Sequence, residues 1–359
     1  MVITIVGGGN IGTLMAAEFA SRGHEVRMVA SDAESWPGVA EAYDSEDNLV
    51  LRGELALVTS DLSRAVPGSD WIWVTYPTSQ FASLAERLNP LVGPGQRLAV
   101  VPGADAEFAF GPVVEKGATL FGLQRVHSVA RLKERGRSSY MLGRRTSGLH
   151  LASIPSAEAS KFAGEVSSLF DLPVEALPNY LVETLTPSNP ILHTARIATM
   201  FADWRPGVTY PENILFYEAW TLESSELLIA CDAELQDVCR KLEDTCGLDL
   251  SGVRSLKLHY ESPDAEAMTK KISSIPAFQG LTSPMREAAP GQWVPDFSSR
   301  YFKADFAFGL KAIRDIAALV GVPTPHMDHV WQWYLDASGD TDWFEGAPSS
   351  VEELKALYA

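Results

Sequence analysis

The first 23 residues of the chain constrain its fold more than any other stretch. Val2–Val6 is an apolar run rich in β-branched residues, which favour strands. Gly7, Gly9 and Gly12 follow at once in the G-x-G-x-x-G spacing, and a helix is predicted over residues 14–21. Such glycines permit a tight turn, a close approach of pyrophosphate to the backbone, and close packing of helix on strand. Because the helix N-terminus adds free N–H groups for phosphates, this stretch predicts a dinucleotide site.

Strands and helices alternate through the first half of the chain. Strands are predicted at Glu25–Val29, 55–59, 71–75, 97–101, 120–122, 139–142, 148–152 and 173–176. Helices are predicted between several of them, for example at 78–88 and 157–169. This alternation is typical of an α/β fold with a parallel sheet. We therefore predict a Rossmann-type, doubly wound parallel sheet over residues 1–182, as the dinucleotide-binding domain.

The second half of the chain shows a helical pattern. From residue 183 the strand signals fade, and apolar residues such as Leu228, Leu235 and Leu242 recur at three- and four-residue steps over several turns. Further helices are predicted at 306–320 and 326–335. We therefore predict a mainly α-helical substrate and catalytic domain over residues 183–359.

Length and charge limit the classes of function. A chain of 359 residues exceeds the roughly 250–300 residues of a single core, which fits two domains. The net charge of −17 argues against partners such as nucleic acid or an anionic membrane, and no apolar run approaches the roughly 18 residues of a bilayer span. The cysteines, Cys231, Cys239 and Cys246, suit reduced thiols and lack the spacing of a zinc motif, so no metal site is predicted. With no signal-peptide pattern at the start, a cytoplasmic protein is expected.

The choice between NAD and NADP stays open at this stage. An acidic residue after the second strand usually binds the ribose of NAD, whereas an arginine there favours NADP. Here Ala30 follows the strand, Asp32 comes two residues later, and Ser31 offers a hydroxyl to a 2′-phosphate. The nearest basic residue, Arg27, lies inside the strand, and Asp32 could equally serve as a turn or cap residue. The remaining predicted cofactor-binding residues are Asn10 and Ile11 in the glycine turn and Tyr76 and Pro77 after strand 71–75.

Two later segments carry candidate catalytic residues. Asn189-Pro190 predicts a helix start, which places His193 and Arg196 on neighbouring parts of one helical face. On pattern alone, an ordinary core or surface histidine is the favoured interpretation of His193. Asp305 precedes an apolar helical run, where an N-cap is the alternative to a functional role.

The chain resembles the opine dehydrogenases of the octopine/nopaline dehydrogenase family. The segments Gly-Gly-Gly-Asn-Ile-Gly, Asn-Pro-x-x-His and Ser-Arg-Tyr-Phe-x-x-Asp-x-x-x-Gly-Leu carry this resemblance. It implies an NAD(P)-dependent reductive condensation, in which an amino acid and a 2-oxo acid form an imine that is reduced to a secondary amine dicarboxylate. By the same resemblance His193 is the catalytic acid/base and Asp305 is its carboxylate partner. The substrate carboxylates need cationic partners, for which the candidates are Arg131, Arg196 and Arg300.

Two other functions remain as alternatives. Enzymes of the β-hydroxyacid dehydrogenase or ketopantoate reductase type also join a dinucleotide domain to a helical one, but they generally use a lysine near the start of the helical domain. No lysine occurs between Lys161 and Lys241, whereas His193 lies in that interval. The other alternative is an NAD(P)-binding regulator without catalysis. Small-molecule substrates are the predicted partners, and a homodimer is left open.

Overall fold

The chain folds as two units, here described from a computed structural model that covers residues Met1–Tyr358. Unit 1 comprises residues 1–183 and the C-terminal segment from Lys355, and unit 2 comprises Thr184–Leu354. Among the described residues, no helix is both long and apolar enough to cross a bilayer.

Unit 1 is built on two sheets with helices packed against them. Its strands are β1 Val2–Val6, β2 Glu25–Val29, β3 Val39–Tyr43, β4 Leu49–Glu54, β5 Leu57–Thr59, β6 Trp71–Val74, β7 Arg97–Val100, β8 Thr119–Leu123, β9 Ser128–Glu134, β10 Ser138–Arg144, β11 Leu149–Ile154 and β12 Val174–Ala176. The helices that begin before residue 184 are α1 Asn10–Ser21, α2 Leu62–Ala65, α3 Phe81–Leu88, α4 Ala106–Phe110, α5 Pro112–Glu115, α6 Ala157–Phe170 and α7 Leu181–Thr184. Short 3₁₀ turns lie at Ala33–Ser35, Thr78–Gln80 and Asn89–Leu91.

The main sheet has eight strands in the order β12-β11-β8-β7-β6-β1-β2-β5. All neighbours pair in parallel except β11 with β8. Strand order reverses between β1 and β6, which creates a crevice beyond their carboxyl ends, where doubly wound sheets bind their ligands. The core against this sheet is aromatic. Trp71, Trp73 and Phe121 are fully buried, and the two indole rings stack with their centroids 5.4 Å apart. The predicted α/β fold with a Rossmann-type sheet is confirmed.

A second, four-stranded sheet lies on the outer side of α1 and was not anticipated as a separate layer. Its order is β4-β3-β10-β9, and helix α1 packs against all four strands. The strand predicted at 139–142 belongs to this sheet as β10, and β3, β4 and β9 were not predicted. Gly53 is needed in β4 because a Cβ there would lie 2.3 Å from the Cβ of Ala20 in α1.

Unit 2 is mainly helical, as predicted, with one hairpin. Its elements are α8 Leu192–Met200, α9 Leu222–Cys246, α10 Leu256–His259, α11 Ala265–Ser274, β13 Met285–Ala289, β14 Gln292–Pro295, a π-helix Tyr301–Leu310, α12 Lys311–Leu319 and α13 Pro325–Ser338, with a 3₁₀ turn at Pro276–Phe278. The last helix, α14 Val351–Leu357, begins in unit 2, and its residues from Lys355 are assigned to unit 1. The long helix α9 buries its predicted stripe, including Leu228, Leu235 and Leu242. Thr221 caps it by accepting a hydrogen bond from the Ser224 N–H.

Candidate functional site

The glycine turn of unit 1 has the geometry that a bound pyrophosphate requires. Gly7 adopts φ +121°, a conformation that side chains oppose, and a Cβ on Gly12 would lie 1.8 Å from the Gly7 carbonyl oxygen. A Cβ on Gly9 would meet nothing within 4 Å, so the backbone there faces open space. Gly7 and Gly12 are therefore required by the turn itself, whereas Gly9 leaves room for a ligand.

Helix α1 presents its first N–H groups beside this space. Gly9 is the N-cap and has no side chain to accept from the first turn, so the positive helix terminus is left for an anion. Asn10, a predicted cofactor-binding residue, uses its side chain elsewhere: Oδ1 accepts from the Leu132 N–H at 2.8 Å. Its carbonyl oxygen accepts from the Ser139 hydroxyl at 2.8 Å. The residues of this turn fit a dinucleotide phosphate through backbone groups, and a bound NAD(P) would be held there.

The other predicted cofactor residues lie around the same turn. The Tyr76 ring would be 3.1 Å from a Cβ on Gly7, which places it beside the glycine turn at the β1/β6 crevice. Pro77 follows it and is exposed, as is Ser31 after β2. Asp32 pairs with Arg135, with Nε and Oδ2 at 2.7 Å, and this hydrogen bond lowers the pKa of the Asp32 carboxyl.

In unit 2, His193 and Asp305 form the predicted pair. His193 lies in the first turn of α8, and its Nδ1 is 2.8 Å from Oδ2 of Asp305. Because a carboxylate only accepts hydrogen bonds, this contact assigns the ring proton to Nδ1 and leaves a lone pair on Nε2. Nε2 lies 3.0 Å from the hydroxyl of Tyr217, which donates to it. The pair is therefore part of a series of hydrogen bonds that joins Asp305, His193 and Tyr217.

Aromatic rings surround this chain of hydrogen bonds. His193 is 6% exposed, and its ring centroid lies 4.8 Å from that of Tyr301 and 5.5 Å from that of Phe216. The Tyr217 ring stacks on Phe278 with centroids 4.1 Å apart. Burial raises the pKa of the Tyr217 phenol, so the hydroxyl keeps its proton and remains a donor. The imidazole is thus held in one orientation in surroundings from which most water is excluded.

The backbone that carries Asp305 is unusual. Asp305 lies in the middle of a ten-residue π-helix, which runs directly into α12. The alternative interpretation of Asp305 as an N-cap is therefore wrong, because this residue is inside a continuous helix rather than at its start. π-Helical segments are rare and occur frequently at functional sites.

The three candidate arginines occupy different environments. Arg196 is buried, and its guanidinium donates to the carbonyl oxygens of Phe216 and Ala219 at 3.0 and 2.7 Å and to the Ser224 hydroxyl at 3.2 Å. Burial lowers the pKa of Arg196 to about 10. Its donors hold the segment that carries Tyr217, which is a structural task rather than an open ligand site.

The other two arginines are exposed. Arg131 lies in β9 of unit 1, and Nη1 donates to the neighbouring carbonyl of Ala130 at 2.8 Å. Arg300 immediately precedes the π-helix, with its guanidinium carbon 5.5 Å from the centre of the Tyr301 ring. Burial raises the pKa of the Tyr217 hydroxyl, and the positive charge of Arg300 partly offsets this increase. Of the three candidate arginines, only Arg300 both is exposed and lies next to Tyr301, whose ring packs against His193.

Sequence reasoning missed two residues that the structure brings to these sites. Tyr217 lies 24 residues after His193, outside the segments that resemble a known family. Arg135 lies 103 residues after Asp32, in the turn between β9 and β10. No local signal marked either residue, because both depend on tertiary placement. In the described part of the chain, no group of three or more His, Cys, Asp or Glu side chains is arranged to hold a metal ion.

Comparisons with known proteins cover both units. Residues 176–338 match the model described as NAD/NADP octopine/nopaline dehydrogenase, alpha-helical domain, and residues 2–110 match the NAD-dependent glycerol-3-phosphate dehydrogenase N-terminus. The chain is 28% identical to tauropine dehydrogenase of Arabella iricolor, over 100% of this chain and 96% of that relative. It is 26% identical to octopine dehydrogenase of Pecten maximus, over 96% of this chain and 92% of that enzyme.

Solved structures show the same fold. Octopine dehydrogenase in complex with NADH and L-arginine superposes with a TM-score of 0.84 at 22% identity, covering 100% of this chain and 94% of the other. Yersinopine dehydrogenase with NADP⁺ bound gives a TM-score of 0.67 at 11% identity, covering 99% and 97%. The resemblance found in three short segments thus extends along the whole chain. The chain is thus similar along its whole length to the octopine/nopaline dehydrogenases, a class of NAD(P)-dependent oxidoreductases, and its residues 176–338 match their helical domain.

Proposed function

We propose that this chain is an NAD(P)-dependent opine dehydrogenase that joins an amino acid to a 2-oxo acid and reduces the resulting imine to a secondary amine dicarboxylate. In this proposal residues 1–182 form the cofactor domain and residues 183–359 the substrate and catalytic domain. The observation that carries it is the contact of His193 with Asp305 at 2.8 Å, which makes Nε2 a proton acceptor in unit 2. A bound NAD(P)H supplies the hydride.

His193 is proposed to move the proton that accompanies reduction. An amino acid amine must lose a proton before it attacks the 2-oxo acid, and the nitrogen of the reduced product must regain one. A histidine titrates in the range that allows both transfers near neutral pH. Asp305 keeps Nδ1 protonated and stabilises the imidazolium that forms when Nε2 accepts a proton.

Tyr217 is proposed to position the His193 ring and to hold Nε2 as an acceptor. Its hydroxyl donates to the neutral ring at 3.0 Å. A substrate proton can therefore reach Nε2 through this hydroxyl, which passes its own proton to the ring and takes one from the substrate. Tyr217→Phe should accordingly lower kcat in a folded variant, because the ring loses both this hydrogen bond and this route for the proton. An unchanged kcat would remove Tyr217 from this role.

Arg300 is proposed to bind a substrate carboxylate. Its guanidinium is exposed beside Tyr301, and a planar guanidinium can bind a carboxylate through two hydrogen bonds. Arg131 remains a prediction as a second carboxylate ligand. Arg196 is better explained by its buried bonds to Phe216, Ala219 and Ser224.

The experiment that tests the proposed function measures NAD(P)H oxidation with a matrix of amino acids against pyruvate, glyoxylate and 2-oxoglutarate. The proposal expects turnover that requires both an amino acid and a 2-oxo acid. Turnover with a 2-oxo acid alone would indicate the β-hydroxyacid dehydrogenase or ketopantoate reductase alternative. Cofactor binding without turnover in any mixture would indicate a regulator.

The cellular location and the oligomeric state also belong to this proposal. The free, buried cysteines Cys231, Cys239 and Cys246 suit a reducing compartment, and we propose a cytoplasmic location on that basis. A homodimer stays a prediction, which molar mass from light scattering of the purified chain would test.

A further inference from the structure

The turn between β9 and β10 brings an arginine to the end of β2, where a dinucleotide's adenosine ribose binds in this fold. Arg135 lies in this turn, and its Nε is 2.7 Å from Oδ2 of Asp32, three residues beyond Val29, the last residue of β2. The Arg135 side chain is 72% exposed. Its two Nη groups make no hydrogen bond within Met1–Tyr358, so four N–H donors remain for a ligand.

Close packing fixes the position of this turn. Gly136 adopts φ +76°, and a Cβ there would lie 2.6 Å from Ser35 Oγ and 3.5 Å from Trp36. The Trp36 ring in turn would lie 2.9 Å from a Cβ on Gly8 in the glycine turn. The tip of the β9–β10 turn is therefore packed, through Trp36, on the same loop that offers the phosphate site.

The residues after β2 favour a phosphate more than a bare ribose. The position directly after the strand holds Ala30, which is apolar and buried, instead of the acid typical of NAD sites. The nearest acid, Asp32, has one carboxylate oxygen engaged by Arg135, which offsets its charge. Ser31 adds an exposed hydroxyl. Because the chain carries a net charge of −17, an additional phosphate would need a local cation such as this one.

We infer that Arg135 is the ligand of a ribose 2′-phosphate, and that the chain binds NADP(H) more tightly than NAD(H). This inference rests on the dinucleotide-binding role proposed for unit 1. Arg135 would keep its Nε bond to Asp32 and direct its Nη groups at the phosphate, which suits the planar geometry of a guanidinium. Asp32 would act as the positioning residue for the Arg135 side chain.

The test compares equilibrium binding of NADPH and NADH by isothermal titration calorimetry, in the wild type and in Arg135→Gln. The wild type should bind NADPH the more tightly. Arg135→Gln should weaken NADPH binding about tenfold or more, since it removes a charge-assisted bidentate contact, and should leave NADH binding nearly unchanged. The same loss should appear with 2′,5′-ADP but not with 5′-AMP, which lacks the 2′-phosphate.

A matched control separates this contact from a general change in surface charge. Arg52→Gln removes an exposed arginine of the same four-stranded sheet, one that pairs with Glu41 at 3.3 Å, and should leave the ratio of NADPH to NADH affinity unchanged. If the wild type prefers NADH, or if Arg135→Gln and Arg52→Gln shift the ratio equally, the inference about Arg135 is wrong while cofactor binding stands. If the wild type binds neither cofactor, the proposed function fails together with the inference.

Discussion

The contact between His193 and Asp305 leads to a prediction about how their losses combine. The two side chains are mostly buried, 8% and 13% exposed, and they meet at 2.8 Å. Replacing His193 by Asn would remove the group that we propose exchanges a proton. General acid–base catalysis contributes about 10²–10⁴-fold, so we expect kcat to fall by that factor, which corresponds to about 3–5 kcal/mol of activation free energy.

Replacing Asp305 by Asn acts through the histidine. An amide can donate to Nδ1, which would shift the ring proton to Nε2 and remove the lone pair proposed to accept the substrate proton. We therefore expect kcat of Asp305→Asn to fall by about 10²-fold or more. Because both residues are proposed to serve one proton transfer, the double variant should be little slower than His193→Asn alone.

The assay is kcat for NAD(P)H oxidation with saturating amino acid and 2-oxo acid, supported by the thermal midpoint and the cofactor Kd of each variant. A matched control exists in the same unit: His326 and Glu234 form another histidine–carboxylate pair, with Nδ1 and Oε1 at 2.6 Å. His326→Asn should leave kcat within about twofold of the wild type. If the double variant instead loses the product of the two single factors, the coupled pair is wrong. Near wild-type kcat in His193→Asn would reject the mechanism itself.

Three further predictions concern the glycine turn, a buried arginine and a buried carboxyl. Gly9→Ala should fold normally but weaken NAD(P)H binding about tenfold or more. The control is Gly164→Ala, whose Cβ also meets nothing within 4 Å and which should leave the Kd of NAD(P)H unchanged. Equal Kd values for Gly9→Ala and Gly164→Ala would refute this prediction. Arg196→Met should lower the free energy of unfolding in urea by about 2–4 kcal/mol, because it leaves carbonyl oxygens unpaired; a raised KM with unchanged stability would restore a substrate role. Burial raises the pKa of Asp232 from 3.8 to about 6, so its protonated form favours folding below about pH 4, and this contribution is lost as pH rises through 6. Asp232→Asn should therefore be more stable than the wild type at pH 7 by up to roughly 3 kcal/mol, and no more stable at pH 4; equal stability at both pH values would contradict this.

The parts of the fold that were predictable depend on local pattern. The β1–Gly-rich turn–α1 unit follows from residue types within 23 positions, and the strand Trp71–Val74 follows from four apolar residues that are all buried. Helix α1 nevertheless begins at Asn10 rather than at residue 14, because the glycine turn itself supplies the first helical turn. The edge strand β4 was missed since its residues are mostly exposed and show no alternation of apolar and polar side chains.

The candidate site was predictable in part for the same reason. His193 and Asp305 lie in segments that resemble a known family, although their 112-residue separation hides their contact. The π-helix has no distinct sequence pattern: Phe302, Phe306 and Leu310 recur every four residues, as they would in an α-helix. Arg196 was a candidate because it lies close to a segment that resembles a known family, but in the structure it is buried, and burial is a property of the tertiary structure.

The central claim is that a carbon–nitrogen bond is formed between the two substrates, and product analysis tests it most directly. The purified chain would be incubated with NADPH or NADH, a ¹⁵N-labelled amino acid and a 2-oxo acid, and the products identified by mass spectrometry. The account predicts a secondary amine that contains both carbon skeletons and retains the ¹⁵N label, formed in equal amount to the NAD(P)H consumed. A 2-hydroxy acid formed from the oxo acid, with the labelled amino acid left intact, would contradict it.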